Sequence, residues 1–244
     1  MLQLNPQQLQ AVESPLGNTL VLAGAGSGKT RVLVQRFVHL IQNAGASPYG
    51  ILAVTFTNKA AQEMKQRIAS SLHISTEGLW VGTFHGLAHR LLRLHYTQAG
   101  LPEHFQVIDS DDQLRVIKRL LRENNVDDKI FAPKKVQSFI NNHKDKVIRA
   151  GMLDHQQNYQ DQVYGQMYQV YEAYVLEHGL VDFAELLLRV YEMFENHPDL
   201  LGEYRERFMH ILVDEFQDTN VLQYKWIKQL SGGGAHDVMA VGDD

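Results

Sequence analysis

The sequence predicts an α/β fold, a parallel sheet flanked by helices, with an all-helical segment inserted into it. Three observations predict it. Short apolar runs alternate with helical periodicity over residues 19–94. Residues 109–208 then carry helical periodicity with no convincing strand. From residue 210 the strand-then-helix pattern returns. The 244 residues are 44% apolar and 21% charged, an ordinary globular balance with ample length for a core. There is no cysteine, which excludes a disulfide framework and thiolate metal sites and suits a reducing cytoplasm. Polar Gln3, Asn5 and Gln7 follow Met1, so no cleavable leader is expected, and no apolar run approaches membrane-spanning length.

In chain order, Asn5 can cap a short helix over residues 4–12 with Pro6 at its first position. Residues 19–22 suit a buried strand, and a helix over 29–43 is broken by Gly45 and Pro48. Residues 51–55 form a second buried strand, Thr57 caps a helix through 68, and residues 80–82 form a third strand. Thr83 or His85 opens a helix through 94. The insertion supplies helices over 111–123, 133–143, 162–177, 182–195 and 198–208. A strand over 210–214, a helix over 219–230, a glycine turn and a strand over 238–241 follow. The expected division is therefore 1–85 and 209–244 for the α/β part and 86–208 for the insertion. A chain ending on the loop after a buried strand is expected to continue in the native gene.

The chemistry concentrates in Ala23-Gly24-Ala25-Gly26-Ser27-Gly28-Lys29-Thr30, between a strand and a helix. Strand, glycine-rich loop and helix is the context of a phosphate-binding P-loop. The glycines let backbone N–H groups turn toward an anion, and the following helix adds its unpaired N–H groups and positive dipole end. Lys29 can reach the β- and γ-phosphates and the Thr30 hydroxyl can ligate Mg²⁺. The first motif position is Ala23 rather than Gly, which fits if its φ stays negative. The plainer alternative is a glycine-rich turn joining strand to helix.

The apolar strand from Ile211 ends in two carboxylates, Asp214-Glu215. At the carboxyl end of a strand beside the P-loop, Asp214 can hold Mg²⁺ alongside Thr30. Glu215 can orient or deprotonate an attacking water, and Gln217 can sense the γ-phosphate. Transfer to a bound hydroxyl needs no water-activating Glu, so the Asp-Glu pair favours hydrolysis. Between Arg115 and Arg149 there are ten Lys or Arg against four Asp or Glu, a local +6 within a chain of net −5. Such a segment, with Arg115, Lys118, Arg119, Arg122, Lys134, Lys135, Lys144 and Lys146, is either a phosphate-binding surface or a set of solvated helix faces. His85 and His89 share a helical face but lack a zinc-binding pattern.

Six motifs occur in order: Leu4-Asn5-Pro6-Gln7-Gln8, Ala23–Thr30 with Arg31, Thr55-Phe56-Thr57-Asn58-Lys59-Ala60-Ala61, Gly82-Thr83-Phe84-His85, Val181-Asp182-Phe183 and Val213-Asp214-Glu215-Phe216-Gln217-Asp218. Together they resemble the amino-terminal part of superfamily 1A DNA helicases, the UvrD, PcrA and Rep family, over residues 4–244. The segments 86–93 and 204–208 are most similar to its DNA helicase II (UvrD) branch.

The resemblance implies a RecA-like ATP-binding subdomain, 1A, split by a helical subdomain, 1B. It implies an ATP-driven 3′-to-5′ translocase that unwinds DNA in repair, acting on single-stranded DNA and duplex junctions, in the cytoplasm and with repair-protein partners. By position, Gln8 would read the adenine edge, Arg31 would pack on the adenine face and Arg67 would lie near the nucleotide. Phe56, Asn58, Thr83, Phe84, His85, Asp182 and Phe183 would face single-stranded DNA. Aromatic faces stack on bases whatever their sequence. The family's second RecA-like motor domain, which supplies arginines to the γ-phosphate, is absent from these residues, so the chain alone is expected to hydrolyse ATP poorly and not to unwind. Two other readings stand beside it: a non-catalytic DNA- or partner-binding module, and a small-molecule P-loop phosphotransferase.

Overall fold

The computed structural model describes residues 4–24, 26–153, 158–234 and 236–243, so Ala25 lies outside the described residues. Helix α1 (Pro6–Val12) starts with a capping box, in which Asn5 and Gln8 each bond the other's backbone N–H. Strand β1 (Thr19–Leu22) leads through the loop to α2 (Lys29–Gln42), then β2 (Ile51–Thr55), α3 (Asn58–Leu72), β3 (Trp80–Thr83) and α4 (Phe84–Leu94). The intervening segment holds β4 (Gln106–Val107), α5 (Ser110–Glu123), α6 (Pro133–Asp145), α7 (Tyr159–Glu177), β5 (Leu180–Val181), α8 (Phe183–Asn196) and α9 (Pro198–Arg207). The chain closes with β6 (His210–Val213), α10 (Val221–Leu230) and β7 (Asp237–Gly242).

Five strands form one wholly parallel sheet in the order β1-β7-β6-β2-β3. The central strands are apolar on both faces because helices must cover both sides of a parallel sheet. Ile211, Leu212 and Val213 of β6 and all of β2 are buried. Val32, Leu33, Phe37 and Leu40 of α2 and Met64 and Ile68 of α3 share a core with Ala53, Val81, Leu212, Met239 and Val241. Strand β1 departs from the buried strand expected. Among the described residues it pairs only with β7, and its side chains alternate in and out, leaving Leu20 and Leu22 more than half exposed. Nor is the strand carrying Asp214 a direct neighbour of the P-loop strand, since β7 runs between them.

The chain divides into two compact units, residues 1–87 with 194–244, and residues 88–193. Residues 194–208, read from the sequence as the end of the insertion, group with the sheet. Their aromatic rings explain why: Tyr204 and Phe208 lie 5.9 and 5.1 Å from the Trp80 ring, and Phe194 lies 5.7 Å from Tyr204.

The second unit is built on α5, α6 and α7 around Ile117, Leu121, Val136, Ile140, Tyr168 and Tyr171. It is helical apart from the parallel pair β4–β5, two residues long on each side and too short to give a strand pattern. Inside it Lys144, fully buried, pairs with Asp182 at 2.7 Å and Glu185 at 2.9 Å. Arg149 bonds Glu172, Glu185 and Glu192. Lys144 is therefore not a surface phosphate contact, whereas Arg115, Lys118, Arg119, Arg122, Lys134, Lys135 and Lys146 are exposed. No helix among the described residues is long and apolar enough to cross a membrane.

Candidate functional site

The loop between β1 and α2 is tied to the sheet by the Ala23 N–H, which donates to Gly242 O at 3.1 Å. Ala23 is not among the positive-φ residues, so Ala is accommodated at the first motif position. Gly26 and Gly28 do take positive φ, 75° and 89°. Gly28 caps α2, whose first N–H groups have no partner within the helix. A Cβ on Gly28 would also meet Gln8 Nε2 at 2.9 Å. That amide donates to Ser27 O at 2.9 Å, while its Oε1 serves the capping box. Gln8 thus fastens α1 to the loop between β1 and α2, with both halves of its amide engaged.

Gly26, Gly28, Lys29, Thr30, Arg31, Arg67 and Glu215 line one cleft of about 840 Å³, together with polar residues of α3. Lys29 is buried, and its Nζ donates to Ala23 O at 3.0 Å, to Gly24 O at 3.3 Å and to the Asp243 carboxylate. The Asp243 hydrogen bond holds the Lys29 ammonium above its ordinary pKa, against the opposing effect of burial. Arg67 pairs with Glu63 one turn back on α3.

Thr30 Oγ1 donates to Asp214 Oδ2 at 3.1 Å. Asp214 is 2% exposed, and its Oδ1 is buried with no hydrogen-bond partner among the described residues. Burial pushes this carboxyl above the ordinary carboxylate value, with the Thr30 hydroxyl pulling the other way. A buried anionic oxygen without a partner beside a hydroxyl is an oxygen-donor pair suited to a hard divalent cation. The donor set therefore fits Mg²⁺.

Glu215 sits in the left-handed region at φ 51°, a conformation that L residues adopt only when their surroundings impose it. Its Oε2 accepts from Gln217 Nε2 at 2.8 Å, and Gln217 Oε1 accepts from the Asp243 N–H at 3.0 Å. A Cβ on Gly242 would press to 2.8 Å from that Oε1. Gln217 thus joins Glu215 to the backbone of Asp243, whose carboxylate pairs with Lys29.

The chain belongs to the UvrD/REP helicase N-terminal domain family. That family matches residues 4–244. The chain is 54% identical over 245 residues to DNA helicase II of Haemophilus influenzae, covering 99% of this chain and 34% of that protein. It is 53% identical over 241 residues to DNA helicase II of Escherichia coli, covering 99% and 33%. To the ATP-dependent DNA helicase PcrA of Bacillus subtilis it is 40% identical over 229 residues, covering 93% and 31%. The chain spans about a third of the length of these relatives.

The residues expected to face DNA in this helicase family divide sharply in environment. Asn58 and Phe183 are exposed, and Phe56 and His85 are half-buried. Burial lowers the His85 pKa. Thr83 is buried, and its hydroxyl accepts the Gly86 N–H at 3.1 Å, fixing the start of α4. Phe84 is 1% exposed, so its ring is a core group and not a stacking face. Asp182 is 2% exposed. Its Oδ1 accepts the Glu185 N–H and caps α8, and its Oδ2 accepts from Lys144, Tyr171 and Gln113. Both oxygens of Asp182 are thus engaged within the helical unit, away from solvent. Among the described residues no cluster of three metal-ligating side chains occurs.

Sequence reasoning missed Asp243 as the partner of Lys29, and Glu63 and Gln66 as cleft residues. A signal for Asp243 was present: like Asp214, it follows a buried strand of the sheet. Glu63 lies four residues before Arg67, the spacing of a helical ion pair.

Proposed function

We propose that this chain is the ATP-binding amino-terminal portion, subdomains 1A and 1B, of an ATP-dependent 3′-to-5′ DNA helicase acting in DNA repair in the cytoplasm. One observation carries the reading: Gly26, Gly28, Lys29, Thr30 and Glu215 line a single cleft, and the unsatisfied Asp214 is hydrogen-bonded to Thr30 at its wall. Family membership and relatives that are named DNA helicases support it.

In this reading the P-loop backbone and the α2 N-terminus receive the phosphates, and Lys29 leaves Asp243 to pair with them. Arg31 and Arg67 line the way out of the cleft toward the base. Thr30 and Asp214 hold Mg²⁺, which when bound neutralises charge on the phosphate oxygens. Glu215 accepts a proton from the attacking water, and Gln217, hydrogen-bonded to Glu215, responds to the γ-phosphate side of the cleft. In the first unit Phe56, Asn58 and His85 contact single-stranded DNA; in the second, Phe183 does so and the exposed lysines and arginines of α5 and α6 meet phosphates. The second RecA-like motor domain, the duplex junction and repair partners are engaged by the longer protein.

Stabilisation of the transferring phosphoryl group from an opposing domain is worth a factor of about 10³–10⁵ in rate. The chain alone accordingly binds MgATP, turns it over slowly and does not unwind. The test is ATP hydrolysis with and without single-stranded DNA, by this chain and by one continued through the second motor domain. DNA-stimulated turnover only in the longer protein, lost in Glu215→Gln, is expected. Brisk turnover by the short chain would overturn the reading.

A further inference from the structure

Thr55 and Thr83 are paired in register at the ends of parallel strands β2 and β3, so the next residues, Phe56 and Phe84, leave the sheet side by side. Their rings meet edge to face, 5.7 Å between centroids at 71°. The Phe84 ring also meets Trp226 of α10 at 5.9 Å and 60°. Trp226 is fully buried, and among the described residues its indole N–H has no hydrogen-bond partner, so packing holds it. The three rings form a column whose outer member, Phe56, is half-buried and whose inner two are closed to solvent.

We infer that Phe84 is a positioning residue for DNA binding: braced by Trp226, it holds the Phe56 ring in one orientation so that a base meets a preset stacking face. This rests on the reading of Phe56 as a base-stacking residue. Edge-to-face pairs have a preferred geometry, and a base entering the column must stack on whatever face that geometry leaves open. A ring fixed before binding also loses less rotamer freedom when the base arrives. The Thr83 hydroxyl bond to the Gly86 N–H anchors the backbone on which Phe84 is carried. Phe84 therefore acts on DNA only through Phe56.

A double-mutant cycle separates this from a general packing role. Binding of a fluorescein-labelled oligothymidylate is measured by anisotropy at low salt for the wild-type chain, Phe56→Ala, Phe84→Leu and the double variant, with thermal melts alongside. Phe84→Leu is expected to weaken binding about two- to tenfold and to add nothing once Phe56 is Ala. Equal losses in both backgrounds overturn the inference, as does unchanged affinity in Phe84→Leu where Phe56→Ala weakens it. If Phe56→Ala itself binds like the wild type, the stacking role of Phe56 fails and the inference falls with it. Should Phe84→Leu fail to fold, Trp226→Phe goes through the same cycle, with a loss that vanishes beside Phe56→Ala expected and an additive loss overturning.

Discussion

The Thr30 hydroxyl reaches Asp214 at 3.1 Å although β7 separates the strands that lead to them. Both stand past the carboxyl ends of parallel strands, where an open α/β sheet gathers its ligand-binding groups. The bond satisfies one carboxylate oxygen and leaves the other buried and bare. Because the folded carboxyl titrates above its ordinary value of 3.8, folding favours the protonated form. That stability is present at acid pH and is lost as pH rises through the folded value. At neutral pH the ionised Asp214 is destabilising until a cation joins it.

Asp214→Asn is therefore expected to melt no lower than the wild type at pH 7 without Mg²⁺. Saturating MgATP at about 100 times its dissociation constant should stabilise the wild type by about 2.7 kcal/mol. For a chain of this size that is a rise of about 5–11 °C. The variant should lose most of this rise. Differential scanning fluorimetry reads both, and a variant that melts well below the wild type without Mg²⁺ would contradict the account.

Lys29 is held by Asp243 and two loop carbonyls, the positions a phosphate must displace. Charge-assisted hydrogen bonds contribute about 1.5–3 kcal/mol, so Lys29→Ala should weaken ATP binding about 10- to 150-fold. Asp243→Asn should act in the opposite direction. The Asp243 side chain is 47% exposed, which limits the pair to about 1 kcal/mol and the tightening to about fivefold. Titration with a fluorescent ATP analogue distinguishes the two. Weaker binding by Asp243→Asn would mean that Asp243 assists the nucleotide.

Gly28→Ala tests the link between α1 and the phosphate loop. The substitution forces a side chain into φ 89° and against the Gln8 amide at 2.9 Å. Left-handed backbone costs an L residue roughly 1–2 kcal/mol. The variant should lose at least that stability in a urea melt, and its ATP affinity should fall as Gln8 is pushed off Ser27. Wild-type affinity would show that α1 and the loop are independent.

Much of the site was legible because its chemistry is written in consecutive residues. Gly26, Gly28, Lys29 and Thr30 follow one another in a loop between strand and helix, and Val213-Asp214-Glu215 puts two carboxylates at a strand end, as the structure has them. What resisted reading depends on partners distant in the chain. Phe84 and Asp182 sit in motifs that the resemblance places on DNA, yet Trp226 and Lys144 bury them from 142 and 38 residues away. The edge position of β1 follows from the strand order, which no local pattern encodes. Asp243 had the right local pattern, but its partner Lys29 became apparent only once β7 lay beside β1.

Lys144, Asp182 and Glu185 make the helical unit sensitive to both substitution and pH. Lys144→Met removes the cation and leaves two carboxylates buried, a loss of about 3–5 kcal/mol. Adding Asp182→Asn removes one of those charges and should restore part of the stability. The pH dependence has a definite sign. Burial alone would raise the Glu185 pKa, but Lys144, Arg149 and Arg189 outweigh it and hold the carboxyl well below its ordinary 4.5. Its contribution is therefore present above 4.5 and is lost as pH falls toward the lowered folded value. In Lys144→Met the leading cation is gone, so the Glu185 carboxyl should protonate at higher pH and the acid loss should begin earlier. Melting temperatures from pH 7 down to 3, followed by far-ultraviolet circular dichroism, measure both shifts. Coincident wild-type and variant profiles would show that the cluster adds nothing to the fold.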